Sequence, residues 1–146
     1  MTYREVLGDL FDPGLPALGH GCNCAGSMSG GIAVEFRRRF PEMHAQYVRD
    51  CDNGDFRLGS FTVWEAPSMT VYNLATQGRP GRHADLDAIA SSVQAALLDA
   101  ETRGVTALGL PRIGAGIGGL RWSDVEQVLR AAAGASTVDL VVVTRP

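Results

Sequence analysis

The apolar positions of this chain change period several times, and each change marks an element. Residues 2–7, TYREVL, alternate and stop at Gly8-Asp9, which predicts a strand running into a turn. Residues 15–20 form a second short apolar segment that stops at a glycine-rich stretch. From Gly31 the spacing turns helical: Ile32, Ala33, Phe36 and Phe40 share a face until Pro41 ends the run, and a short helix is predicted over 43–48. Residues 61–64 and 69–74 are β-rich, and the break Ala66-Pro67-Ser68 makes them neighbouring strands.

The second half is patterned more plainly. Leu86, Ile89, Ala90, Val93 and Leu97 recur at helical intervals, with Asp85 and Asp87 at the start and Gly104 past the end. Residues 105–110 read as a strand. Ser123 and Glu126 have capping-box spacing, predicting a helix that carries Val125, Val128, Leu129 and Ala132 to Gly134. Residues 138–143 are nearly all valine, as expected of a strand buried on both faces. Strands alternating with helices predict one α/β domain over 1–146, a three-layer α/β/α sandwich around a mixed, largely parallel sheet. Ligands of such sheets lie beyond the carboxyl ends of the strands.

Composition narrows the function. With 146 residues, 45% of them hydrophobic, the chain can bury a full core, and no stretch reaches the roughly 20 apolar residues of a membrane span. The opening MTYREVLGDL lacks the basic-then-apolar pattern of a secretion signal, and three cysteines give no disulfide framework, so a cytoplasmic, reducing setting is expected. A net charge of −3 offers a nucleic-acid backbone no general attraction, so any anion must be held by local main-chain donors and a few placed arginines. The run Arg37-Arg38-Arg39 reads as a solvated helix face.

Two glycine-rich segments follow predicted strands and lead toward helices: residues 19–31 and residues 114–119. The later one satisfies G-x-G-x-x-G through Gly114, Gly116 and Gly119, but too little chain follows for a dinucleotide fold, and Asp139 opens a strand where an acidic residue should close one. Two such loops at one sheet edge present converging N–H groups, and a helix starting near Gly31 adds a positive dipole end, which suits a pyrophosphate better than a single phosphate. His20, Cys22 and Cys24 stand at H-x-C-x-C spacing; they are read as diverging at the strand end with no fourth ligand, so no metal and no cofactor are assigned. Trp122 either closes over the ligand or packs in the core.

In order and spacing, GDL at 8–10, HGCNCAGSMSGGIA at 20–33, NLATQ at 73–77 and LPRIGAGIGGLRW at 110–122 resemble the macrodomains. The likeness is strongest to the branch of the terminal ADP-ribose protein glycohydrolases, the DNA ADP-ribosyl glycohydrolase antitoxins and the ADP-ribose-1″-phosphate processing proteins. It implies that the ligand is ADP-ribose. By the resemblance, Asp9 and the Leu10 backbone meet adenine, His20, Asn23, Ser29, Gly30, Gly31 and Ile32 lie toward the distal ribose and one phosphate, with Thr76 and Gln77 beside them, and Pro111, Arg112, Ile113, Gly114, Ala115, Gly116, Ile117, Gly118 and Gly119 wrap the other phosphate.

The resemblance also exposes two departures. Lysine follows the threonine of the NLAT segment in the glycohydrolase and antitoxin members, and aspartate follows the PRIGxGL stretch in the former; here those positions hold Gln77 and Gly118. The lysyl covalent route is therefore closed. A water fixed by Gln77 or Asn23 near the anomeric carbon is the remaining catalytic route, acting on ADP-ribose ester-linked to acidic side chains. Removal of mono-ADP-ribose is the leading function, against a non-catalytic ADP-ribose reader or an ADP-ribose-1″-phosphate phosphatase. The expected partner is ADP-ribose or an ADP-ribosylated protein, with ADP-ribosylated nucleic acid as the other acceptor class, no membrane, and a monomeric state.

Overall fold

The computed structural model describes residues 2–146. Among them six strands form one sheet: β1 (Tyr3–Leu7), β2 (Ala17–Asn23), β3 (Phe61–Glu65), β4 (Thr70–Gln77), β5 (Ala107–Leu110) and β6 (Asp139–Thr144), in the order β1-β6-β5-β2-β4-β3. All neighbours pair parallel except β3, which runs antiparallel to β4. Four helices cover the two faces: α1 (Ala33–Arg39), α2 (Pro41–Asp52), α3 (Leu86–Thr102) and α4 (Trp122–Gly134).

Alternation along the central strands divides the core in two. Tyr72 and Leu74 of β4, with Leu140 and Val142 of β6, pack under α3 and α4 against Ile89, Val93, Val125 and Leu129. Their alternates Val71, Ala75, Val141 and Val143 pack on the opposite face against Phe36, Met43 and Tyr47 of α1 and α2. Both faces of β6 are thereby buried, as its valines predict. The sandwich is three layers deep.

Several boundaries differ from the sequence pattern, each for a local reason. β2 continues through the first glycines to Asn23, because Gly19 and Gly21 are packing residues there: a methyl on Gly19 would lie 2.8 Å from Leu110 Cδ2, and one on Gly21 would lie 2.7 Å from Thr76 Oγ1. Pro41 ends α1 and also occupies the first turn of α2, which is twelve residues long rather than a short piece. The capping box at Ser123 does not form. α4 starts at Trp122 with Arg121 as its N-cap, and no side chain caps it. α3 is capped as its acidic start suggests, with Asp85 accepting from the Ala88 N–H at 3.0 Å.

The neighbours β2 and β5 send their following helices to opposite faces. Such a switch point leaves a crevice beyond the strand ends, and it lies between the loops at 24–32 and 111–121.

Candidate functional site

The crevice holds two chambers. An inner one of about 380 Å³ lies among the ends of β2 and β4 and the loops after β2, β4 and β5. An outer one of about 540 Å³ continues toward Leu10 and the end of β6, and the two share Gly31, Ile32, Pro111 and Arg112. At the joint the two glycine loops meet: Ile117 Cδ1 lies 3.3 Å from where a methyl on Gly30 would stand and 3.4 Å from one on Gly31. Among the described residues, no protein group accepts a hydrogen bond from the main-chain N–H groups of Gly30, Gly31 and Ile32, or of Gly114 to Gly118. Unpaired amides in two loops that line a shared cavity offer donors to an anion there.

Each wall is held by identifiable bonds. Asn23 is buried, and its amide makes four hydrogen bonds: Nδ2 donates to Ser27 O at 2.8 Å, while Oδ1 accepts from Ala25 N at 3.0 Å, Ser27 N at 3.3 Å and Tyr47 Oη at 3.1 Å. Tyr47 also donates to the Asn23 carbonyl at 2.6 Å, and burial raises its pKa, so the hydroxyl stays a donor. Gln77 donates Nε2 to the carbonyls of Arg79 at 2.7 Å and Gly81 at 3.0 Å, and its main-chain carbonyl accepts from Cys24 N at 3.0 Å. Arg112 borders both chambers and is anchored from behind by Glu5 and Thr144, each at 3.3 Å.

Of the residues singled out in the sequence, all line one chamber or the other except Asp9, His20, Ala115 and Gly119. Asp9 shapes the turn after β1, accepting from Phe11 N at 2.9 Å through Oδ1. His20 requires a correction: it is fully buried, stacked on Phe36 at 3.8 Å between ring centroids, with Nε2 donating to Asn73 Oδ1 at 2.8 Å. Burial lowers its pKa to about 4 against the opposing pull of the Asn73 bond, so the ring is a neutral core group. Gly119 is covered by the Arg82 side chain.

His20 and Cys22 do not diverge. Residues two apart on a strand share a face, and Cys22 Sγ lies 3.5 Å from His20 Nε2. Burial raises the pKa of both Cys22 and Cys24, which keeps them thiols with little nucleophilic character. Trp122 packs with the core beneath α4, under the Arg112 guanidinium at 5.0 Å from its ring centroid.

Sequence reasoning missed Tyr47, which pins the early loop from α2. It also missed Val34, Glu35, Val143, Thr144 and Arg145 around the outer chamber. Arg145 carried the one available signal, its place just past a strand that ends at the ligand edge.

Residues 20–129 match the Macro domain family. The chain belongs to that family. This macrodomain is 32% identical over 140 residues to the DNA ADP-ribosyl glycohydrolase of Mycobacterium tuberculosis, a match covering 90% of this chain and 38% of the relative. It therefore spans well under half the length of that relative. It is also 32% identical over 142 residues to the ADP-ribose 1″-phosphate phosphatase of Candida albicans, covering 87% of this chain and 91% of that one. The solved macrodomain of Mycobacterium tuberculosis DarG superposes with a TM-score of 0.88 at 29% identity, covering 97% of each chain.

The two departures from the family pattern have structural counterparts. All thirteen basic residues of this macrodomain are arginine, so no lysine exists anywhere in the chain to attack an anomeric carbon. Position 118 is closed to any side chain: a methyl there would lie 2.7 Å from both Gly114 O and Ala84 Cβ.

Proposed function

We propose that this macrodomain binds ADP-ribose along the crevice and hydrolyses the ester joining it to an acidic side chain, with water as the nucleophile. Adenosine occupies the outer chamber beside Leu10, where the remaining Asp9 oxygen accepts from the adenine amino group. The diphosphate lies between the two loops, and the distal ribose enters the inner chamber. The observation that carries this reading is the meeting of Ile117 with Gly30 and Gly31 between two sets of unpaired amides. Both curated relatives have names that put their chemistry on ADP-ribose, one on an adduct of DNA and one on a 1″-phosphate.

With no lysine and no group at 118, catalysis rests on geometry. The loops hold the sugar in a reactive shape, and a ligand phosphate orients the water toward the anomeric carbon. Asn23 and Gln77 serve as positioning residues: Asn23 ties the loop after β2 through Ser27 O, and Gln77 Nε2 ties the loop after β4 through the carbonyls of Arg79 and Gly81. The shortage of a strong base also favours a second reading, a reader that binds ADP-ribose without releasing it.

One paired assay separates the readings. Wild type and Gly30→Val, which presses a side chain against Ile117, are incubated with a glutamate-linked, auto-modified substrate while free ADP-ribose affinity is measured by calorimetry. Release by wild type together with loss of both properties in the variant supports the hydrolase. Tight binding without release supports the reader, and phosphate liberated from ADP-ribose-1″-phosphate supports the phosphatase. Absence of ADP-ribose binding would refute the site itself.

A further inference from the structure

The β4–α3 loop carries three exposed basic side chains, Arg79, Arg82 and His83, which flank Pro80 and Gly81 at the rim of the inner chamber. Gln77 draws the carbonyls of Arg79 and Gly81 inward, so that Pro80 and Gly81 line the chamber wall. Ala84 N then donates to Gly118 O at 3.2 Å, tying this loop to the later glycine loop. Arg82 crosses between them. A methyl on Gly119 would lie 3.2 Å from Arg82 Cβ, Nε and Cζ, so the guanidinium rests there because position 119 lacks a side chain. Among the described residues, neither Arg79 nor Arg82 has a carboxylate within ion-pair distance, whereas Arg38, Arg39, Arg103, Arg112 and Arg130 all do.

We propose that Arg82 is a specificity-determining residue that selects ADP-ribose carrying an oxyanion leaving group on its anomeric carbon, a carboxylate or a phosphate, over adducts whose leaving group is a neutral base. This rests on the placement of the distal ribose in the inner chamber. In ester hydrolysis the water oxygen bonds to the anomeric carbon while the bond from that carbon to the carboxylate oxygen breaks. The electron pair leaves on the carboxylate, and the proton lost by the water passes to solvent. The fork of Arg82 donors stabilises the negative charge as it develops, at a point where the cation has no protein partner to satisfy it. The position to which the family resemblance assigns a lysine thus holds Gln77, an amide that shapes the loop, and the loop delivers the cation.

The test uses the whole chain as wild type, Arg82→Gln and Arg82→Lys. For Arg82→Gln, kcat on a glutamate-linked ADP-ribosyl peptide should fall about tenfold or more, the weight of one charge-assisted hydrogen bond. The Kd for free ADP-ribose should stay within about twofold, and Arg82→Lys should recover part of the rate. Independently of any hydrolysis, wild type should bind ADP-ribose-1″-phosphate more tightly than ADP-ribose, and Arg82→Gln should lose that preference. A chain that releases nothing but shows the preference contradicts the hydrolase and upholds the role of Arg82. The role is overturned if wild type shows no preference, if the preference survives Arg82→Gln, or if the variant loses free ADP-ribose affinity as much as ester turnover.

Discussion

Replacing Asn23 by alanine tests how the site is built. The substitution removes four hydrogen bonds, from Nδ2 to Ser27 O and to Oδ1 from Ala25 N, Ser27 N and Tyr47 Oη. At about 0.5–1.5 kcal/mol net for each, with water replacing part of those nearest the cleft, the cost is about 2–4 kcal/mol. In a chain of this size that is a fall in Tm of roughly 6–12 °C. Tyr47 retains the main-chain carbonyl of residue 23 at 2.6 Å, which keeps the loss below the sum. Asn23→Asp retains the acceptors but sets a carboxylate against Ser27 O, and should cost about half as much. Freeing the loop makes ADP-ribose order it on binding, so affinity should drop about tenfold in the alanine variant. Urea denaturation and calorimetry read both numbers. If Asn23→Ala kept its stability within about 0.5 kcal/mol and lost only turnover, the side chain would be holding the reacting water instead of the loop, and the reasoning would be wrong.

Other expectations follow from the same geometry. Tyr47→Phe leaves the Asn23 carbonyl short of a buried donor and should cost about 1–3 kcal/mol by urea denaturation, a neutral result counting against the pin. Gly118→Asp should destabilise the protein and create no new turnover, because the added carbon meets Gly114 O and Ala84 Cβ at 2.7 Å; a stable and faster variant would contradict the closed position. His20 titrates near 4 in the fold and near 6.5 unfolded, so the unfolded chain binds more protons between those values. Its contribution to stability is therefore complete above about pH 6.5 and is lost, on the order of 3 kcal/mol, as pH falls toward 4. Urea midpoints of wild type and His20→Gln over that range should converge on acidification, and parallel curves would refute the buried neutral ring.

Much of the fold is legible in the sequence because its central strands and long helix carry unbroken patterns. The valines over 138–143 and the helical intervals from Leu86 to Leu97 each fit one environment only. The end of β2 moved because glycine hides the pattern there. Gly19 and Gly21 supply no side chain to show the alternation of β2, and their reason, the closeness of Leu110 and Thr76, is visible only in three dimensions. His20 looks like a site residue in a linear reading because it abuts the loop, yet its strand turns it into the core beside Asn73 and Phe36. Tyr47 reaches the site from another segment, so no local motif announces it.

The central claim is that both glycine loops grip one diphosphate through main-chain amides. Nitrogen–proton correlation spectra of the 15N-labelled protein, recorded while ADP-ribose is titrated to saturation, test this directly. The account predicts that the amide protons of Gly30, Gly31 and Ile32 and those of Gly114 to Gly118 move downfield together along one binding curve, as donors do on meeting phosphate oxygens. Shifts confined to one loop, or none in either, would contradict it.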